Sequence, residues 1–351
     1  MSESRASAPA IDRRALLKGA LLALVVPWAS GCGPAPPPAA PPPRPLPPLR
    51  TAPLADLVAA AGIRWVLLAA PRDLLGVPWI PPLVDLAVSG ARFERFARAT
   101  GIELRAIPEA VVAATAPADE KADDVIFYLA RHTGDPALIE RSFRARLSSA
   151  EKRSVDRPDL VRVSGKVGLA SHAAVLIGKD VAGFQEGGSM SRGPARVAAL
   201  FAENKLKSAH PVLAVEPLRS LAARLGPAPL TALAPGPFEG EVARGLRGLL
   251  GAATAVGAVL RPGARESFAV TLAVAGDFST SAAPAAGELQ LAWNELASSR
   301  LGHLLALDAP LTPAAVAAAP DAVTLSVEIS GRGLAEGLAK ATATRVEDIF
   351  R

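Results

Sequence analysis

The sequence predicts an α+β protein built from two βαββαβ units in tandem, with antiparallel-rich sheets and amphipathic helices after an N-terminal helix-strand-helix preface. Three observations predict it. Val323, Leu325, Val327 and Ile329 alternate with Thr324, Ser326 and Glu328, the period-two pattern of a strand whose sheet is covered on one face. Phe268, Val270, Leu272 and Val274 repeat that alternation, as do Val161, Val163 and Val167 against Arg162, Ser164 and Lys166. Between such stretches apolar residues recur at helical spacing: Ile139, Phe143 and Leu147 share one face, and Leu289, Trp293 and Leu296 share another.

Taken in order, residues 51–121 form the preface, with a helix near 54–61, an apolar strand from Ile63 to Ala69, and a helix carrying Phe93 and Phe96 that ends before Gly101. Residues 122–216 form the first unit: a strand near 124–131, a helix near 136–148, a hairpin from about 159 to 184, a helix near 194–206 and a strand near 211–215. The first of these helices starts at Asp135-Pro136, because the aspartate offers a capping acceptor and the proline has no N–H to leave unsatisfied at the first helical position. Residues 217–351 form the second unit: a strand near 229–234, a helix near 238–249, a hairpin from about 252 to 276 turning at Pro262-Gly263, a helix near 285–301 entered from Pro284, and a strand near 322–329. This order is the split βαβ of ferredoxin-like domains. The uncharged run Gly248 to Leu260 is shorter than the ~20 residues a membrane helix needs, so it reads as a helix end running into a buried strand.

The chain has 351 residues, 50% hydrophobic and 4% aromatic, with 38 Lys plus Arg against 33 Asp plus Glu and a single cysteine. Its length allows a sizeable core. One cysteine excludes a disulfide framework, Cys-ligated zinc ribbons and iron–sulfur clusters. That cysteine is Cys32, and it follows a basic start, a short apolar run from Gly19 to Val26 and the small residues Ala29-Ser30-Gly31, the three parts of a secretory signal. Arg13-Arg14 with Lys18 resembles a twin-arginine (Tat) export signal, with Asp12 where Ser or Thr is usual. Ala29-Ser30-Gly31-Cys32 resembles a bacterial lipobox, with Ala29 where Leu is commonest. These resemblances cover only residues 1–32. They imply removal of residues 1–31, acylation of Cys32, and passage through the Tat translocase and the lipoprotein-processing enzymes. Two or three acyl chains, at ~0.8 kcal/mol per buried methylene, hold a protein at a membrane stably. Gly33, where an aspartate is associated with inner-membrane retention, implies the periplasmic face of the outer membrane in a two-membrane cell.

Residues 32–50 then hold 10 of the 33 prolines, and such a run stays extended as polyproline II because proline lacks the N–H and fixes φ. At ~3.1 Å per residue this stalk reaches roughly 50 Å. Loss of residues 1–31 also removes Arg5, Arg13, Arg14 and Lys18 against Glu3 and Asp12, lowering the formal charge of +5 by two. The basic balance is therefore no nucleic-acid footprint. The partners expected are the membrane, through the acyl chains on Cys32, and an envelope protein or lipid.

Catalytic signatures are scarce. His132, His172, His210 and His303 have no metal-ligand spacing, so no metal and no cofactor is expected. No GxSxG nucleophile turn occurs. His132-Thr133-Gly134-Asp135 reads as a strand end turning into a capped helix, and Asp119, Glu120, Asp123 and Asp124 as a solvated loop. Two features stand out. Gly187-Gly188-Ser189-Met190-Ser191-Arg192-Gly193-Pro194, with Arg196 beyond it, precedes a predicted helix and is the candidate loop for an anion or other ligand. Leu74, Leu75, Trp79 and Ile80 lie in a segment too apolar for a loop and too rich in proline for regular structure: exposed, it is a candidate apolar contact patch, and buried, it plugs one end of the sheet. The sequence thus points to a lipid-anchored envelope protein with a non-enzymatic binding or structural domain. Its alternatives are an extracytoplasmic hydrolase using the glycine-serine loop and a lipid carrier or chaperone with an apolar cavity.

Overall fold

A computed structural model describes residues 46–117 and 123–343. The signal-like segment with Arg13, Arg14 and Lys18, the acceptor Cys32 and most of the proline run lie outside the described residues. Twelve strands form one sheet: β1 (Ile63–Ala69), β2 (Ala110–Thr115), β3 (Val125–Arg131), β4 (Ser149–Arg157), β5 (Leu160–Val167), β6 (Ala170–Ile177), β7 (Val181–Glu186), β8 (Leu230–Pro235), β9 (Ala253–Pro262), β10 (Ser267–Gly276), β11 (Ala315–Ala319) and β12 (Ala322–Ser330). The helices are α1 (Pro71–Leu75), α2 (Ile80–Ala87), α3 (Gly90–Thr100), α4 (Pro136–Arg144), α5 (Pro194–Ala202), α6 (Leu218–Leu225), α7 (Gly240–Ala243), α8 (Leu249–Ala252), α9 (Ala282–Ser298), α10 (Arg300–Leu304) and α11 (Gly331–Ala343).

The strand order is β11-β12-β10-β9-β8-β1-β2-β3-β7-β6-β5-β4, and every neighbouring pair is antiparallel. This overturns the two tandem ferredoxin-like units. A split βαβ needs another strand between the first two of a unit, whereas β8 pairs directly with β9. In the other half β3 pairs with β7, the last strand of a β4–β7 meander whose first strand lies at the sheet's far edge. The segment taken for a preface supplies the middle of the sheet: β1 pairs with β8 on one side and with β2 on the other, joining the two halves. Two local expectations also change. Residues 211–215 hold a 3₁₀ turn at Val212–Ala214 beside a single Ala59–Pro211 bridge, and the helix near 238–249 is broken into short pieces around Leu246 and Arg247, both at positive φ.

Period-two alternation puts apolar residues on both faces of the sheet. On the first face Val66, Val111, Phe127, Val175 and Leu233 pack beneath α5, α6 and the 3₁₀ turn Leu54–Leu57, with Phe127, Leu54 and Leu57 fully buried. On the second face two separate clusters form. Val323, Leu325, Val327 and Ile329 join Phe268, Val274 and Leu289 under α9. Ile139 of α4 joins Ile102, Ile107, Leu176 and Ala182 at the other wing. Asp135 caps α4 as the sequence implies, its side chain accepting from Ala137 N at 2.9 Å. Between the two clusters the second face stays partly open, with Trp65 39% and Tyr128 44% exposed. Tyr128 titrates above its ordinary value because burial, and then the charge of Glu186, disfavour the phenolate.

Both edges of the sheet are protected against further pairing. β4 carries two register shifts and the charged residues Glu151, Lys152, Arg153 and Arg157. Arg153 holds Glu140 through Nε and Nη2, at 2.5 and 3.1 Å, and this hydrogen bonding keeps the Glu140 carboxyl below the usual range. β11 is five residues long and lies between Pro313 and Pro320.

The chain enters this fold through a clamp. Arg157 donates to Pro47 O at 2.8 Å, Arg50 N to Ala202 O at 2.8 Å, Arg131 to Thr51 O at 2.6 Å, and Leu54 N to Glu109 Oε1 at 2.7 Å. Arg131 also pairs with Asp180.

Core packing is tight where strands carry glycine. A Cβ on Gly183 of β7 would stand 2.8 Å from Val175 and 2.9 Å from Phe127. Gly183→Ala is therefore expected to destabilise the domain by about 1–3 kcal/mol through overpacking, measured as a lower urea midpoint at unchanged m-value.

Candidate functional site

The glycine-serine loop connects β7 to α5, and one buried side chain holds it. Gln185 is 2% exposed. Its Nε2 donates to Gly187 O at 2.9 Å and Ser189 O at 3.2 Å, while its Oε1 accepts from Ala195 N at 3.2 Å. A buried amide needs such partners, since each unpaired polar group costs about 1–3 kcal/mol. The glycines follow from this packing. Gly193 leaves room for the Gln185 amide, which a Cβ there would overlap, and Gly188 turns at φ +66° hard against Val125.

Free helix-start donors, expected from the sequence, are not what the loop offers. Pro194 has no N–H, Ala195 donates to Gln185, and Arg196 N and Val197 N donate to Gly193 O at 3.0 and 3.2 Å. What the loop presents instead is side chains. Ser189 Oγ and Ser191 Oγ lie 3.2 Å apart, Ser189 Oγ accepts from Arg192 N at 3.3 Å, and the Arg192 side chain is exposed. Arg196, on the first turn of α5, is half-buried.

Beneath these groups the structure shows a feature with no sequence signal, a cleft of about 200 Å³. Leu57, Val58, Ala113, Val125 and Phe127 form its buried apolar floor, Ala59, Ala116, Pro194 and Val197 its half-buried walls, and Ser189, Arg192 and Ala61 its exposed margin. Thr115 is the one polar wall residue besides the margin, and its hydroxyl reaches Val125 O at 3.5 Å. A second depression, about 640 Å³ and more open, lies between α6 and the adjoining ends of β9 and β10. Arg224 and Asp321 pair with each other across its lining, so its charges satisfy one another.

The other sequence candidates fall elsewhere. Ile80 belongs to the second face's larger core cluster, and Leu74, Leu75 and Trp79 are half-buried against it. Ile80 is 3% exposed, and Trp79 meets Phe268 edge-on at 4.9 Å between ring centroids. Pro81 and Pro82 sit in the first turn of α2, where an N–H is not needed, and Pro78 lies in the turn before it.

A hydrolase needs a base within reach of its serine. Among the described residues no histidine hydrogen-bonds Ser189 or Ser191. Sequence reading missed the His303 Nδ1–Asp308 Oδ2 pair at 2.8 Å, which holds the Asp308 carboxyl below its usual range. The nearby Ser299 hydroxyl is occupied in capping α10, accepting from Gly302 N at 3.0 Å and donating to Leu296 O at 2.6 Å. His132 is 4% exposed, with Nδ1 3.1 Å from Gly134 O and a buried Nε2 that has no partner among the described residues. Burial lowers its pKa against the opposing effects of the Gly134 hydrogen bond and the Asp180 charge. No group of three His, Cys, Asp or Glu residues able to hold a metal occurs among the described residues, and none of their helices is long and apolar enough to cross a membrane. No protein-family model, curated protein or solved structure matches the chain.

Two outcomes test this geometry. Gln185→Leu strands the Ala195 N–H and two loop carbonyls, and a loss of about 2 kcal/mol in denaturant unfolding is expected. For His132, the unfolded state takes up a proton near pH 6.5 while the fold resists it until lower pH. Its contribution is therefore constant above about pH 6.5 and is lost as pH falls from there toward the depressed folded pKa. Thermal melts across that window should show the drop, and His132→Phe should flatten it.

Proposed function

We propose that the chain is a lipid-anchored protein of the cell envelope, exported through the twin-arginine route, in which acylated Cys32 and a proline-rich stalk carry a non-enzymatic binding or structural domain. The observation that carries this reading is the order of parts: a lipobox-like Ala29-Ser30-Gly31-Cys32, then a proline run, then a fold whose first residues, Pro47 to Leu54, are clamped to the sheet. A spacer of roughly 50 Å between a membrane and a firmly attached domain is the arrangement a tethered binding module needs. In a two-membrane cell the domain would sit on the periplasmic face of the outer membrane, the placement suggested by Gly33.

The small apolar cleft under Ser189 and Arg192 favours a second reading, a carrier of small amphiphiles. The hydrolase reading draws no comparable support, because the two loop serines bond to each other and to backbone without a base.

Metabolic labelling with radioactive palmitate in a bacterial host is expected to mark the wild-type chain and leave Cys32→Ala unlabelled and in the soluble fraction. Equal label in both would overturn the anchor.

A further inference from the structure

We infer that the cleft beneath the glycine-serine loop is a binding site for a single-chain anionic amphiphile, a medium-chain fatty acid or its chemical equivalent. The tail would occupy the cleft and the acidic head the Arg192 guanidinium and the Ser189 hydroxyl. This deepens the reading of the domain as a binding module and rests on that reading, but it does not depend on acylation of Cys32.

Three features of the site agree on this ligand. Its reachable walls are apolar: half-buried Ala59, Ala116, Pro194 and Val197 stand over a floor of Leu57, Ala113 and Phe127 that is closed to solvent, so a polar body would lose its hydration there without gaining partners. Apart from Thr115, whose hydroxyl reaches Val125 O, the polar side chains sit on one side, where Ser189 and the exposed Arg192 line the margin and Arg192 has no carboxylate in ion-pair range among the described residues. A ligand with one apolar end and one anionic end matches that division, and a guanidinium with a neighbouring hydroxyl suits a carboxylate. The loop is also pre-organised. Buried Gln185 fixes Gly187, Ser189 and Ala195 before any ligand arrives, so little ordering is left for binding.

Calorimetric titration of the full-length chain carrying Cys32→Ala, which keeps it unacylated, tests the site with hexanoate, octanoate, decanoate, decyltrimethylammonium and acetate. One carboxylate is expected to bind per chain. Affinity should rise about fourfold per methylene and level off once the tail exceeds the cleft. The cationic amphiphile and acetate should bind at least tenfold more weakly than octanoate. Arg192→Gln, at an exposed position, should weaken octanoate about tenfold while leaving the thermal midpoint unchanged. Ala61→Trp, at the cleft margin, should block the tail, and Ser191→Ala should bind octanoate like the parent. Equal affinity for the cationic and anionic amphiphiles, an undiminished affinity in Arg192→Gln, or no binding of any chain length by the folded protein would overturn the proposal. None of these results bears on the palmitate label at Cys32, so the anchor and the site fail separately.

Discussion

Strand β1 is hydrogen-bonded on both sides, to β8 through Val66–Ala69 and to β2 from Ile63 to Ala69, and the continuity of the sheet hangs on it. Without β1 and β2 the strands β8–β12 and β3–β7 would be two smaller sheets, each exposing an unpaired edge. With them, the two series become wings of one surface, and the core on the first face runs unbroken from Val175 through Phe127 and Val66 to Leu233. The same joint explains why the second face holds two cores and not one. The wings carry their own helices there, while the central strands lie between them with Trp65 and Tyr128 partly exposed.

The glycine-serine loop inherits its position from this arrangement. β7 pairs with β3, which pairs with β2, so the loop after β7 stands beside the ends of both strands and next to the 3₁₀ turn that covers them. A cleft forms because the elements around it meet at an end of the sheet, where strand side chains no longer have a full layer above them. Gln185 holds the loop beside that space. Its amide is spent on the loop's own carbonyls and on the first free N–H of α5, which also explains why the helix start has nothing left for an anion.

Much of the local structure was legible in the sequence. Alternation at Phe268–Val274 and Val323–Ile329 marked β10 and β12, Asp135-Pro136 marked the start of α4, and the apolar run from Ile63 marked β1, because each is a short-range pattern of burial or capping. The order of strands was not legible, since pairing of β1 with β8 joins residues more than 160 positions apart and no local feature of either reports its partner. β2 escaped notice because Ala110–Thr115 consists of Ala and Val with a single closing Thr and so shows no alternation of apolar with polar residues. For the site, the loop was visible through its glycines and serines, while Gln185 and the cleft were not. A lone glutamine at the end of a strand looks like a solvated residue until its burial is known, and a cavity is a property of neighbours that only the fold brings together.

If the domain is carried on the proposed stalk, the clamp on Pro47 to Leu54 has a mechanical meaning. Tension arriving along the chain meets bonds from Arg157 at the β4–β5 end, from Ala202 at the end of α5, from Arg131 on β3 and from Glu109 just before β2. These anchor points lie on β4, α5, β3 and the segment before β2, so the hold on the first residues does not rest on the edge strand β4 alone. Arg131 further ties this junction to Asp180 at the β6–β7 turn, spreading the pull across neighbouring strands. The domain is thus built to be held from its first residues without being unravelled by them.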